Sequence, residues 1–202
     1  MAEPVRRRLV PILVLVAACS GKRPPPTADQ APAMRPPDLS GRTVMVLPAQ
    51  PAPNGPQAGE PVAGLDREIA FWLAEKAPRV KWVFPSQLER ILDRSPSIQV
   101  DIRALAVSAF HQAEVRNIGD PLFGDLYRLG TLVDARFALV PVSAGWVRNT
   151  DGTGRVETAV ALIETFSGRV LWYGIVAGAN AAEGSTTAAA SAAEALAARI
   201  TG

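Results

Sequence analysis

Val156-Glu157-Thr158-Ala159-Val160-Ala161-Leu162-Ile163-Glu164-Thr165-Phe166-Ser167-Gly168-Arg169-Val170-Leu171-Trp172-Tyr173 reads as two strands joined by a tight turn. In the first, Val156, Thr158, Val160 and Leu162 project to one side, while Ala159, Ala161 and Ile163 project to the other. Both sides are apolar at the centre, so this strand has to be covered on both faces rather than on one. Ser167-Gly168 supplies hairpin chemistry, and the return strand spans 170–177. Trp172 and Tyr173 are consecutive and therefore face opposite ways, so at least one lies beneath a helix. Upstream, 137–146 reads as a third strand, separated by the turn Asn149-Thr150-Asp151-Gly152-Thr153-Gly154. The three are expected to run antiparallel.

Working outward, Thr43 to Leu47 is a short β-rich run ended by Pro48, and 49–64 is a loop rich in proline and glycine. Leu65, Ile69, Trp72 and Leu73 share one helical face over 65–77, with Arg67, Glu68, Glu75 and Lys76 opposite. Pro78 stops that helix, 80–84 is a second strand, and Pro85-Ser86 opens a helix with Leu88, Ile91 and Leu92 inside. Two helical pieces are expected over 100–134, divided by Asn117-Ile118-Gly119-Asp120-Pro121. The first carries Ile102, Leu105, Ala106, Ala109 and Phe110, the second Leu122, Phe123, Leu126, Leu129 and Leu132. Alanine-rich 185–200, with Ser185 as N-cap and Leu196 and Ile200 on one side, reads as a closing helix, against the alternative of a low-complexity tail.

The expectation is a mixed α/β (α+β) single domain over 41–202. Its largely antiparallel five-stranded sheet is flanked by helices in the order β-α-β-α-α-α-β-β-β-α. A domain of this length buries about 70% of its unfolded surface.

Ahead of the domain stands an address. Arg6-Arg7-Arg8, the apolar run from Leu9, and Val16-Ala17-Ala18-Cys19 have the layout of a secretory leader over 1–18. The run is broken by Pro11 and is about half the ~20 residues that a membrane-spanning helix needs. The last four residues resemble the lipobox of bacterial lipoproteins, which implies cleavage before Cys19 and acyl chains (palmitate among them) on that residue. More than one chain is needed for stable anchoring in a bilayer. The alternative is an ordinary leader with a cysteine near its cut site. Cys19 is the only cysteine, so no internal disulfide forms. Ser20, where aspartate retains enteric lipoproteins in the inner membrane, points to the outer membrane, facing the periplasm.

Residues 19–40 carry Pro24-Pro25-Pro26, Pro32 and Pro36-Pro37 and read as a tether reaching up to ~65 Å, or else as passive linker. Without a leader that holds Arg6, Arg7, Arg8 and Glu3, the chain has 18 basic and 18 acidic residues. Net charge therefore gives no reason to invoke nucleic acid.

Asp134-Ala135-Arg136-Phe137-Ala138-Leu139-Val140, leading into a strand, and the hairpin over 162–172 carry a resemblance to periplasmic lipoproteins of the CsgG, LpoB and TolB amino-terminal type. The resemblance implies a tethered body that works by binding envelope proteins, as a synthase activator or as part of a secretion assembly, with oligomers admitted. It brings no catalytic residue. A CsgG-like pore would need spanning hairpins of alternating residues, and neither 49–64 nor 100–134 has that alternation.

Other constellations point to no chemistry of their own. His111 is the sole histidine, too little for a histidine-based metal site or triad, and no cofactor is expected. Asn149, Asp151 and Gly152 lack the distal glutamate of a calcium loop. Gly152-Thr153-Gly154 lacks the strand-to-helix setting of a phosphate cradle. Trp72 and Trp82 read as core. Trp146 beside Arg148 is the candidate partner contact, with core packing as the alternative for the indole. The functional expectation is a non-catalytic, lipid-anchored protein-binding module in cell-envelope assembly. Its alternatives are a secretion-assembly subunit and an enzyme with an unrecognised site.

Overall fold

The strand that is apolar on both sides lies fourth of the five main strands, between two neighbours, and is covered on both faces. The computed structural model describes residues 35–50, 64–111 and 115–202. The leader, Cys19, most of the tether and residues 51–63 of the proline-rich loop lie outside the described residues.

Elements follow in the order β1 (Thr43–Val46), α1 (Leu65–Lys76), β2 (Lys81–Val83), α2 (Pro85–Asp93), α3 (Leu122–Val133), β3 (Phe137–Arg148), β4 (Thr153–Glu164), β5 (Val170–Ala177), β6 (Ala181–Ala182) and α4 (Thr186–Thr201). The sheet is mixed, in the order β2-β1-β3-β4-β5, with β6 added to β4. β1 is parallel to β2 and β3, and the β3, β4 and β5 pairings are antiparallel. The expected class therefore holds among the described residues, with four helices and six strands.

Two apolar layers sandwich the sheet. Val156, Val160 and Leu162 of β4 meet Leu65, Ile69 and Leu73 of α1 and the alanines of α4 on one face. Ala159, Ala161 and Ile163 meet Leu88 of α2 and Leu122, Leu126 and Leu129 of α3 on the other. Trp172 lies in the first layer and Tyr173 against the second, as their opposite directions require. Alanine suits α4 for more than propensity. Ala188, Ala189, Ala192, Ala193 and Ala197 are all buried, and their small side chains let the helix sit close to α1 and β5. Gly178, just beyond β5, has no room for a Cβ, which would fall 2.5 Å from Ser191 Oγ. Ser185 caps the helix, its side chain accepting from the Thr187 N–H.

Two expectations are corrected. A sixth strand of two residues, Ala181–Ala182, pairs with Thr153 and Gly154; it is too short for any alternation to announce it. The first helix expected within 100–134 does not form among the described residues, where only a 3₁₀ turn at Ser108–His111 is regular. Leu105 and Val107, two residues apart, are both buried, a spacing that one helical face cannot deliver.

Tertiary bonds hold this segment open. The buried Gln50 amide donates to the carbonyls of Pro48 and Ile102, and its oxygen accepts from the Leu105 N–H at 3.0 Å. Its backbone bonds Pro141 and Ala144. Every polar group of a residue 2% exposed is thereby satisfied. The β3–β4 register shifts between Pro141 and Ser143, a bulge where a strand tolerates a proline.

Gly130 is where α3 rests on the sheet end. A Cβ there would lie 2.8 Å from the Ala135 carbonyl oxygen and 2.9 Å from Thr165 Cβ. Thr165 cannot yield, because its hydroxyl donates to the carbonyls of Ala135 and Arg136. Gly130→Ala gains up to ~1 kcal/mol of helix propensity but overpacks a fixed contact at about 1–3 kcal/mol. The expected net result is a loss of about 1 kcal/mol, read as a lower urea midpoint with unchanged slope.

Candidate functional site

Three surface regions carry chemistry. The first is the outer edge of β2. Lys81 N–H donates to the Arg42 carbonyl at 2.8 Å, so parallel alternation turns the Trp82 N–H and C=O to the open side. The outward amide of Phe84 is satisfied by the Gln87 side chain at 2.9 Å, which ties α2 to the strand. The Trp82 indole N–H donates to the Ala77 carbonyl at 3.1 Å, and its ring stacks on Phe84.

Two depressions meet at Trp82. A cleft of about 530 Å³ lies among the approach to β1, the α1–β2 turn and the chain end, lined by Arg35, Asp38, Lys76, Arg79 and Ile200. A groove of about 320 Å³ lies between β2 and α2, lined by Trp82, Val83, Gln87, Arg90, Ile91 and Arg94. In the cleft, Arg35 donates to the Gly202 carbonyl. The Asp38 carboxyl is held below its ordinary value by the backbone N–H and then the hydroxyl of Ser40, with smaller contributions from Arg79 and Arg42.

The second region is the end of β4. Glu164 is nearly buried and accepts from Arg136 at 2.6 Å, with Arg169 at 3.5 Å on its other oxygen. Ser167 Oγ donates to the same carboxylate at 2.7 Å. The Ser167 bond first, and then Arg136, hold Glu164 below its ordinary value of 4.5. Beside this network Tyr127 meets Phe123 and, edge to face, Phe166. Tyr127 and Phe166 stay 47% and 46% exposed, so the aromatic cluster is open to solvent.

The third region is the β3–β4 turn with the sequence-derived pair. Trp146 is half-buried against the first core layer. Its ring covers Gly154, where a Cβ would come within 2.6 Å of Trp146 Cζ2 and Cε2. Its buried indole N–H has no acceptor among the described residues. Arg148 is exposed and pairs with Glu183 at 2.6 Å. The two residues therefore share a strand end but point to different surroundings, with exposed Val147 between them. Trp72 and Trp82 are half-buried at the margin of the first layer, and His111 is exposed. Among the described residues, no group of three His, Cys, Asp or Glu side chains could hold a metal ion. Nor is any helix among them long and apolar enough to cross a membrane.

The β2 edge and the Glu164 network were not foreseen from sequence. The cations at the edge are dispersed along the chain, and Glu164 stands out in the sequence only as part of the hairpin over 162–172.

No protein-family model matches the chain, and no curated protein matches it. Among solved structures, lipoprotein GNA1162 from Neisseria meningitidis is 17% identical, over 71% of this chain and 81% of that one, at TM-score 0.41. LpoB from Escherichia coli is 15% identical over 89% and 88%, at TM-score 0.44. A PelC dodecamer from Paraburkholderia phytofirmans is 12% identical over 84% and 92%, at TM-score 0.41. LpoB is one of the types named by the sequence resemblance. At these identities and TM-scores the similarities assign no activity, ligand or partner to this chain.

Glu164 gives a pH signature. Its carboxylate is favoured in the folded state, so its stabilisation is present above 4.5 and is lost as pH falls through the lower folded value. Glu164→Gln is expected to cost about 1–2 kcal/mol at pH 7, the scale of charge-assisted hydrogen bonds. It should also flatten the loss of stability below pH 4.5, as urea midpoints across pH 3 to 7 would record.

Proposed function

We propose that this protein is a lipoprotein of the bacterial envelope, anchored through Cys19 in the outer membrane and facing the periplasm. Its body binds another envelope protein instead of turning over a substrate. The observation that carries the reading is Val16-Ala17-Ala18-Cys19 at the end of a basic and then apolar leader, followed by a proline-rich stretch ahead of β1.

The character of the body supports the binding half. Tyr127, Val147, Phe166 and Ile175 are exposed on a framework whose two core layers are closed, and aromatic groups held on rigid elements suit contact with a partner. The β3–β4 turn adds Arg148, whose surface pair with Glu183 is weak enough to exchange for a partner's carboxylate. Trp146 supports that turn from beneath.

Cys19→Ala is expected to leave an unprocessed precursor that takes up no labelled palmitate, while the parent chain is cleaved and labelled. Equal palmitate incorporation by the variant would sink the anchor. Cross-linking in intact cells that captures no envelope protein above a control would count against the binding role.

A further inference from the structure

The charges of this chain are balanced overall but not locally. Among the described residues, eight of the sixteen lysines and arginines have a carboxylate within ion-pairing distance. Of the eight with none, Arg35 lies in the adjoining cleft, Arg116 and Arg199 lie on other segments, and the remaining five, Arg42, Arg79, Lys81, Arg90 and Arg94, flank β2. They are exposed and come from the β1 approach, the α1–β2 turn, β2 itself and α2. Arg90 on α2 and Arg94, the residue that caps its C-terminus, are four apart and lie on one side of the helix, and both line the groove whose far wall is Trp82 and Val83. The nearby carboxylates are few: Asp38 is held by Ser40, Glu89 is taken by Arg103, and Asp93 ends α2 between the two arginines.

Charge at a sheet edge commonly serves to repel other edges, and Lys81 alone would do that. The other outer strand shows that this sheet does not rely on charge for that purpose. β5 has no cation between Val170 and Ala177, and its start is closed by chain instead, through the Asn117–Arg169 bridge and the Val170 N–H bonded to the Arg116 carbonyl. The β2 edge has no such cover among the described residues. It presents the Trp82 N–H and C=O outward, with a groove alongside and guanidinium groups along that groove.

We infer that the β2 edge and its groove receive an extended, acidic segment of a partner polypeptide, added beside Trp82 as a further strand with its carboxylates between Arg90, Arg94 and Lys81. Backbone bonds to one residue position the segment, and the cations select it. A lipid surface or a flexible polyanion would use the cations but leave the Trp82 backbone groups unused. The inference adds a partner class to the protein-binding role proposed above. Its test uses purified full-length chain, so its failure and a failure of Cys19 acylation are told apart.

The probe is a fluorescein-labelled peptide of alternating Glu and Val, about nine residues long so as to exceed an ordinary strand, followed by anisotropy at low salt. Binding is expected. Arg90→Glu with Arg94→Glu should weaken it about tenfold or more, as expected for two lost charge-assisted contacts. Both sites are exposed, and Arg90→Gln with Arg94→Gln should give a smaller loss in the same direction should the reversal disturb folding by circular dichroism. N-methylation of alternate peptide amides should weaken binding in at least one of the two phases of alternation. The inference is overturned if both methylated peptides bind as tightly as the parent, if the Lys-Val counterpart binds equally, or if both paired variants retain parental affinity. Phosphatidylglycerol vesicles bound in preference to the peptide would equally overturn it, in favour of a lipid surface.

Discussion

A strand that is apolar on both sides cannot border water on either, and the rest of this fold follows from that condition on β4. Its Val156, Val160 and Leu162 need one cover and its Ala159, Ala161 and Ile163 another, so helices must lie on both faces of the sheet. The two covers are built differently. On the first face the alanines of α4 allow close approach, and Gly178 removes a side chain where the strand exit meets that helix. On the second face larger side chains from α2, α3 and the irregular stretch over 98–111 fill the space above the small residues Ala138, Ala159 and Ala161. Small against large across a layer is what dense packing requires.

The constraint also explains why Gln50 matters. A non-helical segment pressed against a sheet buries backbone groups that no regular partner satisfies, each at about 1–3 kcal/mol if left alone. The Gln50 amide meets two of them, the Ile102 carbonyl and the Leu105 N–H, while its own backbone continues the pairing of β3 past the end of β1. One buried polar side chain thereby does for the irregular segment what a ladder does for a strand. Thr165 plays a comparable part at the opposite end of the sheet, where its hydroxyl joins β4 to the loop after α3.

Periodic signals were legible and tertiary ones were not. β5 over Val170–Ala177, α1 from Leu65, and α4 with its Ser185 cap could be read because alternation, a helical face and a cap are local properties. The helix expected across Ile102, Leu105 and Ala109 failed because its spacing was fortuitous. The segment is fixed by a glutamine more than fifty residues away, inside a loop that reads as featureless. The same distinction holds for the candidate sites. Trp146 and Arg148 stand two apart in sequence and read as one candidate contact, yet one packs on Gly154 and the other faces Glu183. Arg42, Arg79, Lys81, Arg90 and Arg94 belong to four separate segments, and only the sheet order brings them to one edge.

Sheet order also decides which part of the body is left for a partner. β1 is held on both sides, by β2 and β3, and β4 by β3 and β5, so neither has main-chain groups to spare along its paired length. The remaining main-chain capacity lies on the outer strands. At β5 it is reduced by the Asn117–Arg169 bridge, and beyond the end of β5 the neighbouring strand is taken up by β6. At β2, Gln87 takes the outward Phe84 amide and Ala77 takes the Val80 N–H, which narrows the open groups to those of Trp82. An opening this small discourages indiscriminate edge pairing, since a long ladder cannot form on it. Whatever selectivity the edge has must then come from side chains, and the side chains placed there are cationic.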